Sequence, residues 1–168
     1  VTTRPTWDQF FLELATLWST MATCSRRQVG AVVVQDRKVI GNGFNGVASG
    51  RLHCINGGCP RGQLSHQEVP PGADYNQFPC LAIHAEHNAI LQAGLAACEG
   101  ATLYVTSQPC QQCLNLIEHA KIGRVVVTPE ELIELANVQR EAEVAAALAA
   151  QLLAVAEAEQ ILREDGNQ

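Results

Sequence analysis

The chain has 168 residues, 47% hydrophobic and 17% charged, which is enough apolar material for one folded domain with a real core and too much for a disordered tail. No window approaches the ~20 consecutive apolar residues of a membrane-crossing helix, and the first ten residues lack the basic-then-apolar order of a secretory leader. The net charge of -6 is uneven: nine acidic and two basic residues lie from Pro129 onward, so the body before it carries a net +1 and the acidity of the tail says little about what that body binds.

Thr6 is placed to cap a first helix, with Gln9 three residues on, and Phe10, Leu14, Leu17, Trp18 and Met21 recur at helical spacing; the pattern predicts an end near Thr23. Two Val- and Ile-rich runs follow, 29–35 and 39–44, and Asp36-Arg37 between them predicts a β-hairpin. Then the texture changes. Eight of the thirteen glycines fall within 41–72, and Pro60, Pro70, Pro71 and Pro79 interrupt any regular element. A loop of this length inside a compact domain needs something to order it. It holds His53, Cys54, Cys59 and His66, with Cys80 just beyond, and a metal clip would shorten it.

Past the loop, residues 85–93 predict a helix, 102–106 a strand, a segment opened by Pro109 a helix to about Ala120, and 124–127 a strand; the alternation predicts an α/β layered domain. Thr128, Pro129, Glu130 and Glu131 combine an N-cap, a first-turn proline and a capping-box glutamate. Behind them Leu135, Val138, Ala142, Ala145, Ala149, Leu152 and Ala156 keep a 3-4 spacing. The expected division is a domain over 1–128, with a Cys-rich loop at about 46–83, and a helical extension over 129–168 packed on the domain or on a neighbouring subunit; a dedicated partner-binding arm is the alternative.

Seven cysteines, an odd number, argue against a disulfide framework and for a reducing, cytoplasmic setting. Cys98 reads as a small buried hydrophobe, and the others invite metal ligation. One constellation stands out. His84-Ala85-Glu86 opens one predicted helix and Pro109-Cys110-Gln111-Gln112-Cys113 opens another. One His and two Cys are one ligand short of a closed tetrahedral zinc site, which leaves a position for water whose pKa the metal brings to roughly 7. Helix N-termini favour the two thiolates. Glu86 is not needed as a ligand and is free to take and return a proton. His-x-Glu with Pro-Cys-x-x-Cys is the pattern of zinc deaminases that act on bases. His87, one turn from His84, reads as a neighbour and not a ligand.

With these residues in view, His84-Ala85-Glu86-His87-Asn88-Ala89-Ile90 and the run from Thr102 to Cys113 resemble the cytidine/deoxycytidylate deaminase superfamily. The run from Arg27 to Val34 resembles the strand that opens its sheet. Gly43-Phe44-Asn45-Gly46, Ser49-Gly50 and His53-Cys54 are similar to the deoxycytidylate branch, with Phe44 and Ala48 where that branch has Tyr and Pro. The resemblance covers roughly 24–128. It implies a three-layer fold with a mixed five-stranded sheet flanked by helices, a catalytic zinc on His84, Cys110 and Cys113, and hydrolysis of dCMP to dUMP and ammonia. Glu86 would shuttle protons. Asn45 and the Ala85 backbone would hold the substrate, with Arg26 and Arg27 available to its phosphate. Some members add dCTP or dTTP effectors, homo-oligomers, and a structural zinc. Here Cys24, Cys54, Cys59 and Cys80 are the candidates for that second ion, with His66 or His53 as substitutes. Two other readings stand beside this one: a deaminase acting on a base within tRNA or DNA, which the lack of an aromatic-basic strip disfavours, and a non-catalytic zinc-ordered binding module, which an intact Glu86 disfavours.

Overall fold

The computed structural model describes residues 4–70, 73–74, 77–129 and 151. All but Pro129 and Gln151 belong to one compact unit, Val1–Thr128. The helical segment expected over 129–168 falls almost wholly outside the described residues.

Helix α1 spans Trp7–Ser19 and starts as its sequence predicts: the Thr6 side chain accepts from the Gln9 amide while the Gln9 side chain accepts from the Thr6 amide. It stops at Ser19, earlier than the expected end near Thr23. Thr16, Ser19 and Thr20 turn their hydroxyls onto the carbonyls of Leu12, Thr16 and Leu17, and such back-bonding competes with continuation of the helix. Strands β1 (Gly30–Gln35) and β2 (Lys38–Phe44) form the hairpin. Asp36 and Arg37 both take positive φ (49° and 62°), the pair of values a two-residue turn between twisted strands requires.

Short β3 (Gly46–Val47) pairs with β4 (Ala82–Ile83), one on each side of the Cys-rich loop. Helix α2 (Ala85–Ala93) follows, then β5 (Thr102–Val105), α3 (Gln111–His119) and β6 (Arg124–Val127). The main sheet has the order β2-β1-β5-β6, antiparallel except for the parallel pair β5 and β6. It is a mixed sheet flanked by helices, the expected fold class, with four strands among the described residues where the resemblance implied five.

Alternation along the strands sorts the core into two layers. Val32, Val34 and Tyr104 face Phe11 and Ala15 of α1. Ala31, Val33, Leu103 and Val105 face Ala89 and Ile90 of α2 and Ile117 of α3, and buried Cys98 belongs with them as expected. Each fully buried Leu, Ile or Val contributes about 1.5–3 kcal/mol. A Cβ at Gly43 would run into the Ala85 carbonyl, so this glycine lets β2 lie directly against the first turn of α2. Asn88 fixes the contact by donating to the Phe44 carbonyl at 2.8 Å. Among the described residues no helix is long and apolar enough to cross a membrane.

Candidate active site

The site is assembled where two helices begin. His84 is the N-cap of α2 and Cys110 the N-cap of α3, both with extended backbone and neither using its side chain to cap the helix. The side chains turn toward each other instead. His84 Nδ1 lies 3.2 Å from Cys113 Sγ and 3.4 Å from Cys110 Sγ, and the two sulfurs are 3.6 Å apart. A tetrahedral zinc with bonds of ~2.3 Å to sulfur and ~2.0 Å to nitrogen has ligand–ligand edges of roughly 3.5–3.8 Å. The three donors therefore fit that ion with adjustments of a few tenths of an ångström. Among the described residues they are the group of three donors whose ligand atoms all lie within 4.8 Å.

The electrostatics ask for a cation there. Burial, then the Glu86 carboxylate and the Cys110 sulfur, push the Cys113 thiol up. Burial holds the His84 imidazole down, against the raising effect of Glu86, which keeps it neutral and available as a ligand. Glu86 itself is 4% exposed on the first turn of α2. The His87 ring stacks beside His84 at 5.9 Å between centroids. His87 stays outside the donor trio.

Two of the three donors, His84 and Cys110, line a cavity of about 430 Å³ that also presents Glu86, Ala85, Asn45 and Ser107. The small sheet explains the convergence. Gly46 pairs with Ile83, so Asn45 and His84, one residue outside that pair, arrive at the same end of the ladder. Asn45 is 8% exposed, and its amide braces the opposite wall: Oδ1 accepts from the Val29 amide and Nδ2 donates to the Arg27 carbonyl, each at 2.8 Å. One amide hydrogen and one lone pair remain for a ligand. Thr106 accepts from the Gly30 amide and ties β5 to the same wall, just before Ser107.

The two predicted arginine contacts differ. Arg27 is exposed at the cavity. Arg26 also lines it, but its guanidinium grips the loop, donating to the carbonyls of Leu64 at 2.6 Å, Ser65 at 3.2 Å, and Val69. Arg61, buried at 7% exposure, does the same further on, donating to Ala73 and Phe78. Sequence reasoning did not place His66, Ser107 or Gln108 at the cavity, where the structure brings all three together with Arg61. The position of Ser107 and Gln108 between a strand and the Pro-Cys-x-x-Cys turn is the signal that could have found two of them.

Cys24, Cys54 and Cys59 form a small buried cluster with Cys80 packed against it. Cys59 and Cys80 lie 3.9 Å apart, and Ser25 Oγ sits 3.2 Å from Cys54 Sγ. Burial pushes the Cys54 thiol up and that of Cys80 to about 11. Cys59 is held low: burial raises it, but hydrogen bonds at Leu81 and Gly62 outweigh that. Among the described residues these sulfurs do not form a second three-donor group within 4.8 Å. His53 is exposed at the start of a short 3-10 turn, and His66 faces the cavity.

Comparison with known proteins gives the same picture. Residues 5–129 match the family model described as the cytidine and deoxycytidylate deaminase zinc-binding region. The deoxycytidylate deaminase of Mycobacterium phage D29 is 46% identical over 129 residues, covering 76% of this chain and 98% of that one. That of Saccharomyces cerevisiae is 40% identical over 124 residues, covering 73% of this chain and 38% of the longer yeast protein. Among solved structures, the dCMP deaminase of cyanophage S-TIM5 in complex with dCMP and dUMP superposes with a TM-score of 0.55 at 26% identity, covering 75% of this chain and 83% of that one.

Proposed function

This chain belongs to the cytidine and deoxycytidylate deaminase family, and we propose that it hydrolyses dCMP to dUMP and ammonia. The observation that carries the reading is the convergence of His84, Cys110 and Cys113 beside a cavity lined by His84, Cys110 and the buried carboxylate of Glu86. The named activity of the D29 and S-TIM5 relatives supports the choice of substrate.

His84, Cys110 and Cys113 would hold zinc, which when bound supplies a water of lowered pKa positioned for attack at C4 of the pyrimidine. Glu86 would take one proton from the attacking water and deliver it to N3 of the pyrimidine. It would then take the remaining proton from the hydroxyl added at C4 and pass it to the amino group, which leaves as ammonia as the C4–N bond breaks and the C4 carbonyl forms. Its burial keeps bulk water from doing the same work at random. Asn45 offers its remaining amide valences to the sugar or base, and Ala85 presents backbone to the ring. Arg27 is an exposed cation at the same cavity, suited to the 5′-phosphate.

We extend the reading to three further points. Cys24, Cys54, Cys59 and Cys80 are a structural metal set, supported by their packing into one cluster at the base of the loop. Residues 1–128 are the catalytic unit and 129–168 a helical extension, supported by the capping sequence that starts at Thr128. The enzyme works as a homo-oligomer in the cytoplasm and is open to dCTP or dTTP effectors, as the resemblance implies. The test of the central reading is ammonia release from dCMP set against dCTP, deoxycytidine and tRNA, with zinc counted per chain. Preference for tRNA would overturn it in favour of a nucleic-acid deaminase, and zinc without turnover of any of the four would favour a binding module.

A further inference from the structure

Of the cations that line the cavity, two are committed elsewhere. Arg26 spends its guanidinium on the carbonyls of Leu64, Ser65 and Val69, and Arg61 donates to Ala73 and Phe78. The carbonyls that Arg26 holds flank a single residue that reaches the cavity from the turn between them, His66. That turn is built, not merely tethered. The Ser65 amide and hydroxyl donate to Glu68 Oε2 at 2.8 and 2.9 Å, and the Glu68 amide donates back to Ser65 Oγ at 3.2 Å. The Val69 amide closes it onto the Ser65 carbonyl at 3.0 Å, and the Val69 side chain is fully buried beneath. The Glu68 carboxylate is thereby occupied by Ser65, and Glu68 is not among the cavity-lining residues. His66 itself is exposed, and so is Arg27.

The cavity wall therefore carries two kinds of chemistry. The donors His84 and Cys110 line it with Glu86, and so do two exposed nitrogen-bearing side chains from separate chain segments, Arg27 and His66. A phosphate monoester carries between one and two negative charges and accepts several hydrogen bonds, which suits a guanidinium paired with an imidazole N–H. We propose that His66 is a specificity-determining residue that binds the 5′-phosphate of the substrate together with Arg27, and that Arg26 is a positioning residue that acts through the 64–69 turn to present His66. The proposal rests on the cavity being the nucleotide site; it adds the residue that makes the enzyme prefer a nucleotide to a nucleoside.

The test compares dCMP with deoxycytidine. His66→Ala lowers kcat/KM for dCMP about tenfold more than for deoxycytidine, mainly through KM, and His66→Arg restores most of the preference. Arg26→Ala shifts the preference the same way, and the double variant loses no more of it than His66→Ala alone, because both act through one contact. If Arg26→Ala does not fold, the His66 pair decides. If deoxycytidine turns over too slowly to follow, competitive inhibition by dUMP against that by deoxyuridine reads the same difference. Equal losses on both substrates would reduce His66 to a loop residue and overturn the proposal, as would an unchanged preference. A wild-type protein inactive on dCMP would instead overturn the proposed function, so the two failures are distinct.

Discussion

Replacing Glu86 by glutamine keeps the side-chain volume and the helix position and removes the base. The residue is 4% exposed, so no bulk solvent stands ready to replace it. One positioned proton transfer contributes typically 10²- to 10⁴-fold, and this carboxylate serves both the attacking water and the leaving amine. The expected loss in kcat is therefore at least ~10⁴-fold, or about 5.5 kcal/mol of barrier. Metal binding should survive. Burial is the main reason the Cys113 thiol is pushed up, and the Glu86 charge is the next, so its removal makes the thiolate easier to form. The same charge raises His84 against burial, so its removal leaves the imidazole still more firmly neutral. Ammonia release from dCMP measures the turnover, and atomic emission on the dialysed protein measures zinc per chain. Glu86→Gln that keeps its zinc and works within tenfold of the wild type would refute the assignment of Glu86 as the proton carrier.

Cys54→Ser should lower both metal content and melting temperature while leaving kcat per correctly loaded site nearly unchanged; an unaltered metal count would remove the second site from the account. Asp8 accepts from Tyr104 at 2.8 Å and from both Arg124 nitrogens at 3.0 and 2.5 Å. The Arg124 hydrogen bonds, then that of Tyr104, hold its carboxyl below the usual carboxylate range. The folded state thus binds fewer protons than the unfolded one there, so this contribution is present above about pH 4 and is lost as the pH falls through the lower native value. Melting curves should show a shallower acid decline for Asp8→Asn than for the wild type, and parallel curves would refute the link. A chain ending at Pro129 should still deaminate dCMP with kcat within tenfold of the full protein; loss of zinc from that form would place part of the catalytic unit in the extension.

What sequence made legible follows the range of the interactions. The Thr6 cap, the Asp36-Arg37 turn and both ligand-bearing helix starts are decided within four or five residues, and each lies where the local pattern puts it. The metal trio was readable because Cys110 and Cys113 are neighbours on one turn and His84 sits at an equivalent helix start. Arg26 was not. Its partners are 38 to 43 residues away, and nothing in a basic residue before a strand tells a phosphate contact from a carbonyl clamp. His66 was set among metal ligands because it stands in a cysteine-rich loop, and only the fold turns it to the cavity. The early stop of α1 was hidden for another reason. Its apolar spacing continues through Met21, while the hydroxyls of Ser19 and Thr20 work against further helix.

The arrangement separates chemistry from recognition by stiffness. His84, Glu86, Cys110 and Cys113 stand on the first turns of two helices packed on a sheet whose facing residues, such as Ala89, Ile90 and Leu103, are fully buried. Errors of a few tenths of an ångström matter there, because a metal's bond lengths do not adapt. The proposed phosphate site can accept looser tolerances, since a charged group many bonds from C4 needs attraction more than alignment. Its residues come from the segment before β1 and from a loop that is held by guanidinium-to-carbonyl bonds and a cysteine cluster in place of a hydrophobic core. Changes in that loop should therefore move KM and substrate preference before they move kcat. The reverse should hold for the helix starts, where a substitution that leaves the fold intact still removes a proton carrier or a ligand.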